Sequence, residues 1–196
     1  MRKIEEDKEL KEDIRRAVAV LRDGGVILYP TDTIWGLGCD ASNPAAVAKI
    51  YELKRRNSSK SMISLVDSVQ ALEKVVPGLT DDVKSLLDEN RTPLTVIYPD
   101  PVGIAENLKA ENGSAAIRIT HEKFSNMLCK TFGGPVVSTS ANYSGEPFPS
   151  SFEEIDERLR ESVDYVVSYA REKNERQSPS RIVKIEEDGE ITVIRP

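Results

Sequence analysis

Gly24-Gly25-Val26-Ile27-Leu28-Tyr29-Pro30-Thr31-Asp32-Thr33-Ile34-Trp35-Gly36-Leu37-Gly38 is the stretch from which the fold is read. Val26 to Tyr29 is a short apolar run held between a glycine pair and a proline, which describes a buried strand. Just upstream, Leu10, Ile14, Ala17, Val18 and Leu21 recur at helical spacing, and Gly24-Gly25 stops that helix. Beyond Pro30, Thr31 to Gly38 reads as a polar loop with two flexible glycines. Asn43 then Pro44 marks the next helix start, a cap followed by proline in the first turn. That helix should turn Val47, Ile50 and Tyr51 inward and deliver Lys54, Arg55 and Arg56 at its C-terminal end.

Further along, Met62 to Val66, Leu94 to Tyr98, Ala115 to Ile119, Pro135 to Ser138 and Tyr165 to Ser168 are strand-like. Ser68 and Thr80 are expected to cap two helices, and Thr120 a third that runs to about Thr131. Ser150 and Ser151, each three residues before a glutamate, predict a capped helix from Phe152 to Glu161. Arg181 to Ile185 and Ile191 to Arg195 form a hairpin around Asp188-Gly189. Residues 99–114 lack periodicity and read as either a lid or a long connection. Residues 170–180 read as an exposed loop. Strands mixed with helices throughout predict a twisted sheet, partly antiparallel, with helices on its faces.

Composition narrows the chemistry. The 196 residues carry 27 Lys plus Arg against 33 Asp plus Glu, a net charge of −6. That balance argues against a surface devoted to nucleic acid but leaves room for a local cationic cleft. A single histidine, His121, excludes multi-histidine metal sites, and its place just inside a helix start suits a surface residue better than a catalyst. Cys39 and Cys129 are far apart and form no CxxC pair, so they read as buried small residues in a reducing compartment. The N-terminus is rich in both charges and lacks the apolar segment of an export signal. No run is long and apolar enough to span a membrane. The expected location is cytoplasmic.

Three polar segments follow strand-like runs: Thr31–Gly38, Lys54–Lys60 and Ser138–Gly145. Loops of this kind gather ligands at the strand ends of open sheets. Lys54, Arg56 and Lys60 concentrate positive charge, while Ser140, Asn142 and Ser144 offer hydrogen bonds to oxyanions. Familiar phosphate loops, GxxxxGK[ST] and GxGxxG, are absent. Basic residues in a last helical turn are favourable through the helix dipole alone. The residues by themselves therefore support a small-molecule site for an anion and go no further.

Six segments in order resemble the YrdC-like family of threonylcarbamoyl-AMP synthases. They are Gly24–Gly38, the K-x-R of Lys54-Arg55-Arg56, Pro93-Leu94-Thr95, Ala116-Ile117-Arg118-Ile119, Val137–Gly145 with its S-x-N, and Ile194-Arg195-Pro196. The resemblance implies an α+β fold in three layers: a twisted mixed parallel/antiparallel sheet with helices on both faces, as one YrdC-like domain over residues 1–196. It implies a nucleotidyltransferase that makes L-threonylcarbamoyladenylate from L-threonine, bicarbonate and ATP and releases pyrophosphate. The product then passes to the tRNA threonylcarbamoyl transferase complex, and direct tRNA binding stays open. By family position, Thr33, Arg118, Ser140 and Ser180 would hold threonine. Arg56, Lys60, Thr95, Asn142, Ser150 and Arg195 would hold ATP, and Mg²⁺ is expected on its phosphates. Lys54, Arg56, Ser140 and Asn142 would form the catalytic set, with no protein metal ligands. Both reactants are anionic, so fixed cations and positioning should carry the rate.

The chain departs from the family pattern in places. Asn57 stands where proline is usual after the K-x-R arginine, and Leu65 stands where long members carry a histidine. Glycines are missing before Ser180, and Arg181 replaces a small residue. Longer members cover the site with a second C-terminal domain, so closure is expected to work another way here. Two alternatives stay open: a paralogue of the same fold that binds nucleotide or RNA without synthesis, and an RNA-binding module with a basic concave face. The intact K-x-R and S-x-N pairs favour the enzyme over the first. The negative balance and few aromatics count against the second.

Overall fold

The computed structural model describes residues 2–55, 62–90, 92–172, 179–186 and 189–196. The periodic N-terminal residues form α1 (Arg2–Arg22), which buries Leu10, Ile14, Ala17, Val18 and Leu21. β1 (Ile27–Tyr29) follows, buried along its whole length. The next segment corrects the polar loop expected there. Gly36-Leu37-Gly38 is a strand, β2 (Gly36–Gly38), antiparallel to β1. Its glycines provide close approach, not flexibility: a Cβ on Gly38 would lie 2.6 Å from Tyr29 Cε1 and 2.8 Å from Val137 O. Glycine inside a strand often marks such a contact, but a sequence cannot name the partner.

α2 (Pro44–Leu53) starts as expected, with Asn43 Oδ1 accepting from the N–H groups of Ala45 at 3.0 Å and Ala46 at 3.2 Å. β3 (Ile63–Val66) leads into α3 (Val69–Val75) and α4 (Asp81–Glu89), capped by Ser68 and Thr80. After β4 (Leu94–Tyr98), residues 99–114 form a packed connection and not a lid. Ile104, Ala105 and Leu108 are buried, and the N–H groups of Val102 and Ala105 each donate at 2.8 Å to carbonyls, those of Val75 and Ala41. β5 (Ala115–Ile119) precedes α5 (Lys123–Phe132), whose cap is Glu122 and not Thr120. The Glu122 carboxylate accepts from the Ser125 N–H at 2.8 Å, while the Thr120 hydroxyl pairs with that of Ser125 at 2.6 Å.

β6 (Val136–Ser140) runs two residues beyond the strand read from sequence, so Ser140 lies in the sheet. The helix expected from Phe152 shrinks to α6 (Glu157–Glu161), capped by Asp156. The Ser150 N–H donates to the Glu154 carboxylate at 2.7 Å, four residues on and not the three of a capping box. Residues 152–155 close a tight turn instead, with the Ile155 N–H on Phe152 O at 3.2 Å, and both side chains are buried, the Phe152 ring 4.9 Å from that of Trp35. β7 (Tyr165–Val166), β8 (Arg181–Ile185) and β9 (Ile191–Arg195) complete the described elements. Asp188 of the expected hairpin turn lies outside the described residues. Asp13 of α1 ties down the β7 segment: its carboxylate accepts from Ser168 N at 2.9 Å, from Tyr169 N at 2.6 Å and from the Tyr165 hydroxyl.

The described strands form one sheet in the order β7-β1-β2-β6-β3-β5-β4-β8-β9. Pairs β1–β7, β3–β5 and β4–β8 are parallel and the remainder antiparallel, so the sheet is mixed. Register places Leu65, Arg118, Thr95 and Ile182 side by side on one face. Their chain neighbours Val66, Ile119, Leu94 and Val183 point to the other face, where they pack with Leu72, Val75 and Val83 of α3 and α4. Elsewhere on the first face, α5 sets Phe124 against Tyr29 with ring centroids 6.4 Å apart. Helices thus cover both faces of an α+β, three-layer structure. Over Arg118 and Ile182, however, the wall of the open cavity draws on no helical residue among those described.

Candidate active site

That cavity measures about 420 Å³, within the range of small-ligand sites. Its floor is sheet: Gly36, Ile63, Ile97, Ala116, Arg118, Ser138, Ser140 and Ile182, with Thr33, Phe148, Pro179, Ser180 and Arg195 around them. Parallel β3–β5 and β4–β8 pairing brings strand ends from distant parts of the chain to one place, and the loops that leave them supply the polar groups.

Arg118 is the cation at the floor, only 3% exposed. Its Nη2 lies 2.8 Å from Asp32 Oδ1 and donates to Thr33 Oγ1 at 3.4 Å. The contact with Asp32 is ionic and poorly aligned: among the described residues, neither Asp32 oxygen accepts a hydrogen bond, and Arg118 Nε has no acceptor. Burial pushes the Asp32 carboxyl above the usual carboxylate range, and the guanidinium opposes that rise. Thr31 fixes the local turn, its hydroxyl donating to Ile34 O at 2.7 Å and receiving the Thr33 N–H at 3.1 Å. Opposite, the Thr95 and Ser180 hydroxyls pair at 2.8 Å. Arg195 donates to Ser180 O through Nε at 2.9 Å and Nη2 at 2.6 Å, which pins the segment after Pro179 to the edge hairpin.

Lys54 takes a different place from that of a free cation. It caps α2, is 1% exposed and does not line the cavity. Its ammonium donates to Ser140 O, to Asn142 O at 2.7 Å and to Asn142 Oδ1 at 3.4 Å. The turn answers through Ser144 N–H, which donates to Lys54 O at 2.9 Å. Asn142 spends its amide on Glu146 O at 2.6 Å. The K-x-R lysine and the S-x-N turn are therefore one structural unit, joined through main-chain oxygens that no side-chain pattern reveals.

Of the residues expected at the site, Thr33, Arg118, Ser140, Ser180 and Arg195 meet in the cavity wall. Thr95 is fully buried behind Ser180, while Asn142 and the exposed Ser150 stand outside the wall. Arg56 and Lys60 lie outside the described residues, as does Asn57. Leu65 sits in the core beside Arg118 on the neighbouring strand, so its position supplies no polar contact. His121 is exposed. Asp32, Ser138 and Phe148 join the site without a sequence signal of their own. Asp32 was simply the acid of the Thr31–Gly38 loop until folding set it against an arginine far along the chain.

Chemically, the cavity offers a guanidinium for a carboxylate, hydroxyls for a hydroxyl-bearing ligand, and a second cation, Arg195, at the outer side. No helix of the described residues is long and apolar enough to cross a membrane.

Comparison with known proteins agrees with this architecture. The Sua5/YciO/YrdC family, described as telomere recombination, matches residues 19–196. A threonylcarbamoyl-AMP synthase of Chromohalobacter salexigens is 36% identical over 157 residues, 80% of this chain and 85% of the relative. One from Xanthomonas euvesicatoria pv. vesicatoria is 39% identical over 161 residues, 79% of this chain and 84% of the relative. Among solved structures, P. abyssi Sua5 complexed with L-threonine superposes with a TM-score of 0.82 at 23% identity, over 93% of this chain. The match spans about half of that protein, 53% of its length. E. coli YciO gives a TM-score of 0.77 at 24% identity, over 93% of this chain and 87% of that one. At such identities the two structures bear on the fold alone.

Proposed function

The chain belongs to the Sua5/YciO/YrdC family, and on that premise we propose that it is a threonylcarbamoyl-AMP synthase acting on L-threonine, bicarbonate and ATP. The observation that carries this reading is the buried Arg118 at the floor of a hydroxyl-lined cavity. Asp32 meets that guanidinium through one nitrogen, and the remaining donors of its planar fork suit an amino-acid carboxylate. Thr33 and Ser180 offer hydroxyls for that of threonine, while Ser140 on β6 and Arg195 on β9 flank the cavity at opposite ends and are assigned to the catalytic turn and the nucleotide.

In the reaction, the threonine amine joins bicarbonate carbon with loss of water, and a carbamate oxygen then bonds to the α-phosphorus as pyrophosphate leaves. The protein supplies placement and positive charge and no nucleophile. Lys54 acts through the turn: it holds Ser140 and Asn142 where the reactants meet. Arg56, Lys60, Thr95, Asn142 and Ser150 keep their assignment to the nucleotide, Thr95 through its hydroxyl pair with Ser180. Mg²⁺ on the ATP phosphates would neutralise charge there. Such an ion takes most of its ligands from phosphate and water. Residues 1–196 are taken as one YrdC-like domain, since every described strand joins one sheet. Hand-off to a tRNA threonylcarbamoyl transferase complex, in the cytoplasm, follows from the product.

Pyrophosphate release from ATP and bicarbonate, with L-threonine, with serine and without either, tests the reading. Release that depends on threonine supports it. Release indifferent to threonine, or none with folded protein and Mg²⁺ present, would overturn it.

A further inference from the structure

Asp32 is the buried ionisable group at this site that the proposed reaction leaves without a task. Its side chain is 10% exposed and its Oδ1 lies 2.8 Å from Arg118 Nη2, yet it is not part of the cavity wall. The carboxylate therefore approaches the guanidinium from behind while Arg118 itself lines the cavity. We propose that Asp32 is a positioning residue for threonine, holding the Arg118 guanidinium so that its remaining donors meet the substrate carboxylate.

Without Asp32, the Arg118 guanidinium would be held away from water with no counter-ion, a heavy desolvation cost that rotation of the long side chain toward solvent would relieve. Asp32 removes that incentive. It also consumes little of the hydrogen-bonding capacity: the pair is ionic and misaligned, and Nε has no acceptor among the described residues. A planar fork can hold a second carboxylate on its other donors, so the counter-ion need not be displaced when the ligand arrives. Thr33 adds a second restraint, its hydroxyl lying 3.4 Å from the same Nη2 that Asp32 contacts. Two consecutive residues of one turn thus grip a single nitrogen of an arginine on β5, and the turn is itself fixed by Thr31 through its bonds to Ile34 O and Thr33 N.

This inference rests on the synthase reading, and the experiment separates the two. Asp32→Ala, Asp32→Asn, Arg118→Ala and the Asp32→Ala/Arg118→Ala pair are compared with the unmodified protein by threonine-dependent pyrophosphate release and by calorimetric titration with L-threonine. The unmodified protein serves as the gate: if its own release ignores threonine, the synthase reading fails before Asp32 is at issue. Given an active protein, Asp32→Ala should raise the threonine KM at least roughly tenfold while kcat and the ATP KM stay within about threefold. Asp32→Asn keeps an oxygen facing Nη2 and should recover most of the threonine affinity. In the double variant the loss should be no larger than in Arg118→Ala alone, because both substitutions break one contact. An unchanged threonine KM in Asp32→Ala, equal losses for threonine and ATP, or additive losses in the double variant would overturn the proposal. Should Asp32→Ala not fold, Asp32→Ser, which also withdraws the carboxylate, replaces it alone and paired with Arg118→Ala: additive loss again overturns the proposal and coupled loss supports it.

Discussion

Replacing Lys54 by methionine separates two roles for this residue. As a reacting cation, it would serve the substrates and leave the free protein's stability untouched. Its contacts favour the other role: a 1% exposed ammonium donates to Ser140 O and to Asn142 O at 2.7 Å, with a longer contact to Asn142 Oδ1 at 3.4 Å. A hydrogen bond from a charged group contributes about 1.5–3 kcal/mol, and a carbonyl left buried without a donor costs its desolvation as well. Two such bonds give a gross loss of about 3–6 kcal/mol. Methionine fills a similar volume and no longer buries a charge, which offsets part of it. The net expectation is a loss of about 3 kcal/mol, less than the roughly 5–15 kcal/mol of an ordinary domain, so the variant still folds. In a chain of this length that is a drop in Tm of about 6–12 °C. Urea unfolding should show a lower midpoint at an unchanged slope. Threonine-dependent pyrophosphate release should fall roughly a hundredfold, since the turn bearing Ser140 is released. A Lys54→Met protein with unchanged Tm and abolished activity would refute this reasoning and return the ammonium to direct chemistry on the substrates.

Other outcomes follow from the same geometry. Arg118→Ala should raise the threonine KM roughly a hundredfold and the ATP KM far less, the signature of one lost carboxylate fork; equal rises in steady-state kinetics would place Arg118 outside the threonine site. Asp13→Ala removes the acceptor for Ser168 N, Tyr169 N and the Tyr165 hydroxyl. It should cost about 3–5 kcal/mol and expose the amides of Ser168 and Tyr169 to hydrogen exchange; retained protection would contradict the anchoring role. Cys39 and Cys129 are buried, and burial pushes both thiols up from their ordinary range. A disulfide reagent at pH 8 should leave the native protein unlabelled and label both thiols once guanidinium unfolds it, whereas native labelling would mean local opening at either site.

The local grammar of the chain was legible without a structure. Helical spacing from Leu10 to Leu21, the Asn43-Pro44 start, the Ser68 and Thr80 caps and the apolar run ending at Tyr29 each depend on residues near in sequence, so each could be read from the sequence alone. Where the reading strayed, a distant contact had overruled a local preference. Gly36 to Gly38 is a strand because it pairs with both β1 and β6, and Tyr29 and Val137 crowd the Gly38 position so closely that no side chain fits. The residues around Ser150 and Ser151 yield no long helix: the Ser150 N–H takes Glu154 in place of Glu153, and residues 152–155 close a tight turn that buries Phe152 and Ile155. Glu122 caps α5 where Thr120 was expected, since Thr120 turns its hydroxyl to Ser125.

The candidate site divides in the same way. Residue types in the Thr31–Gly38, Lys54–Lys60 and Ser138–Gly145 segments pointed to an anionic small molecule, and the family resemblance added Arg118 and named the ligand. What each group does there was decided by tertiary structure. Lys54 and Arg118 are both basic residues in the sequence, and both are nearly fully buried. One ends against the carbonyls of a turn and the other at the floor of a cavity with a carboxylate behind it. A charge has a direction and a dielectric surrounding only after the chain has folded, because partners and burial both come from strands far apart in sequence. The sequence determines which charges are available; the sheet register determines which of them a ligand can meet.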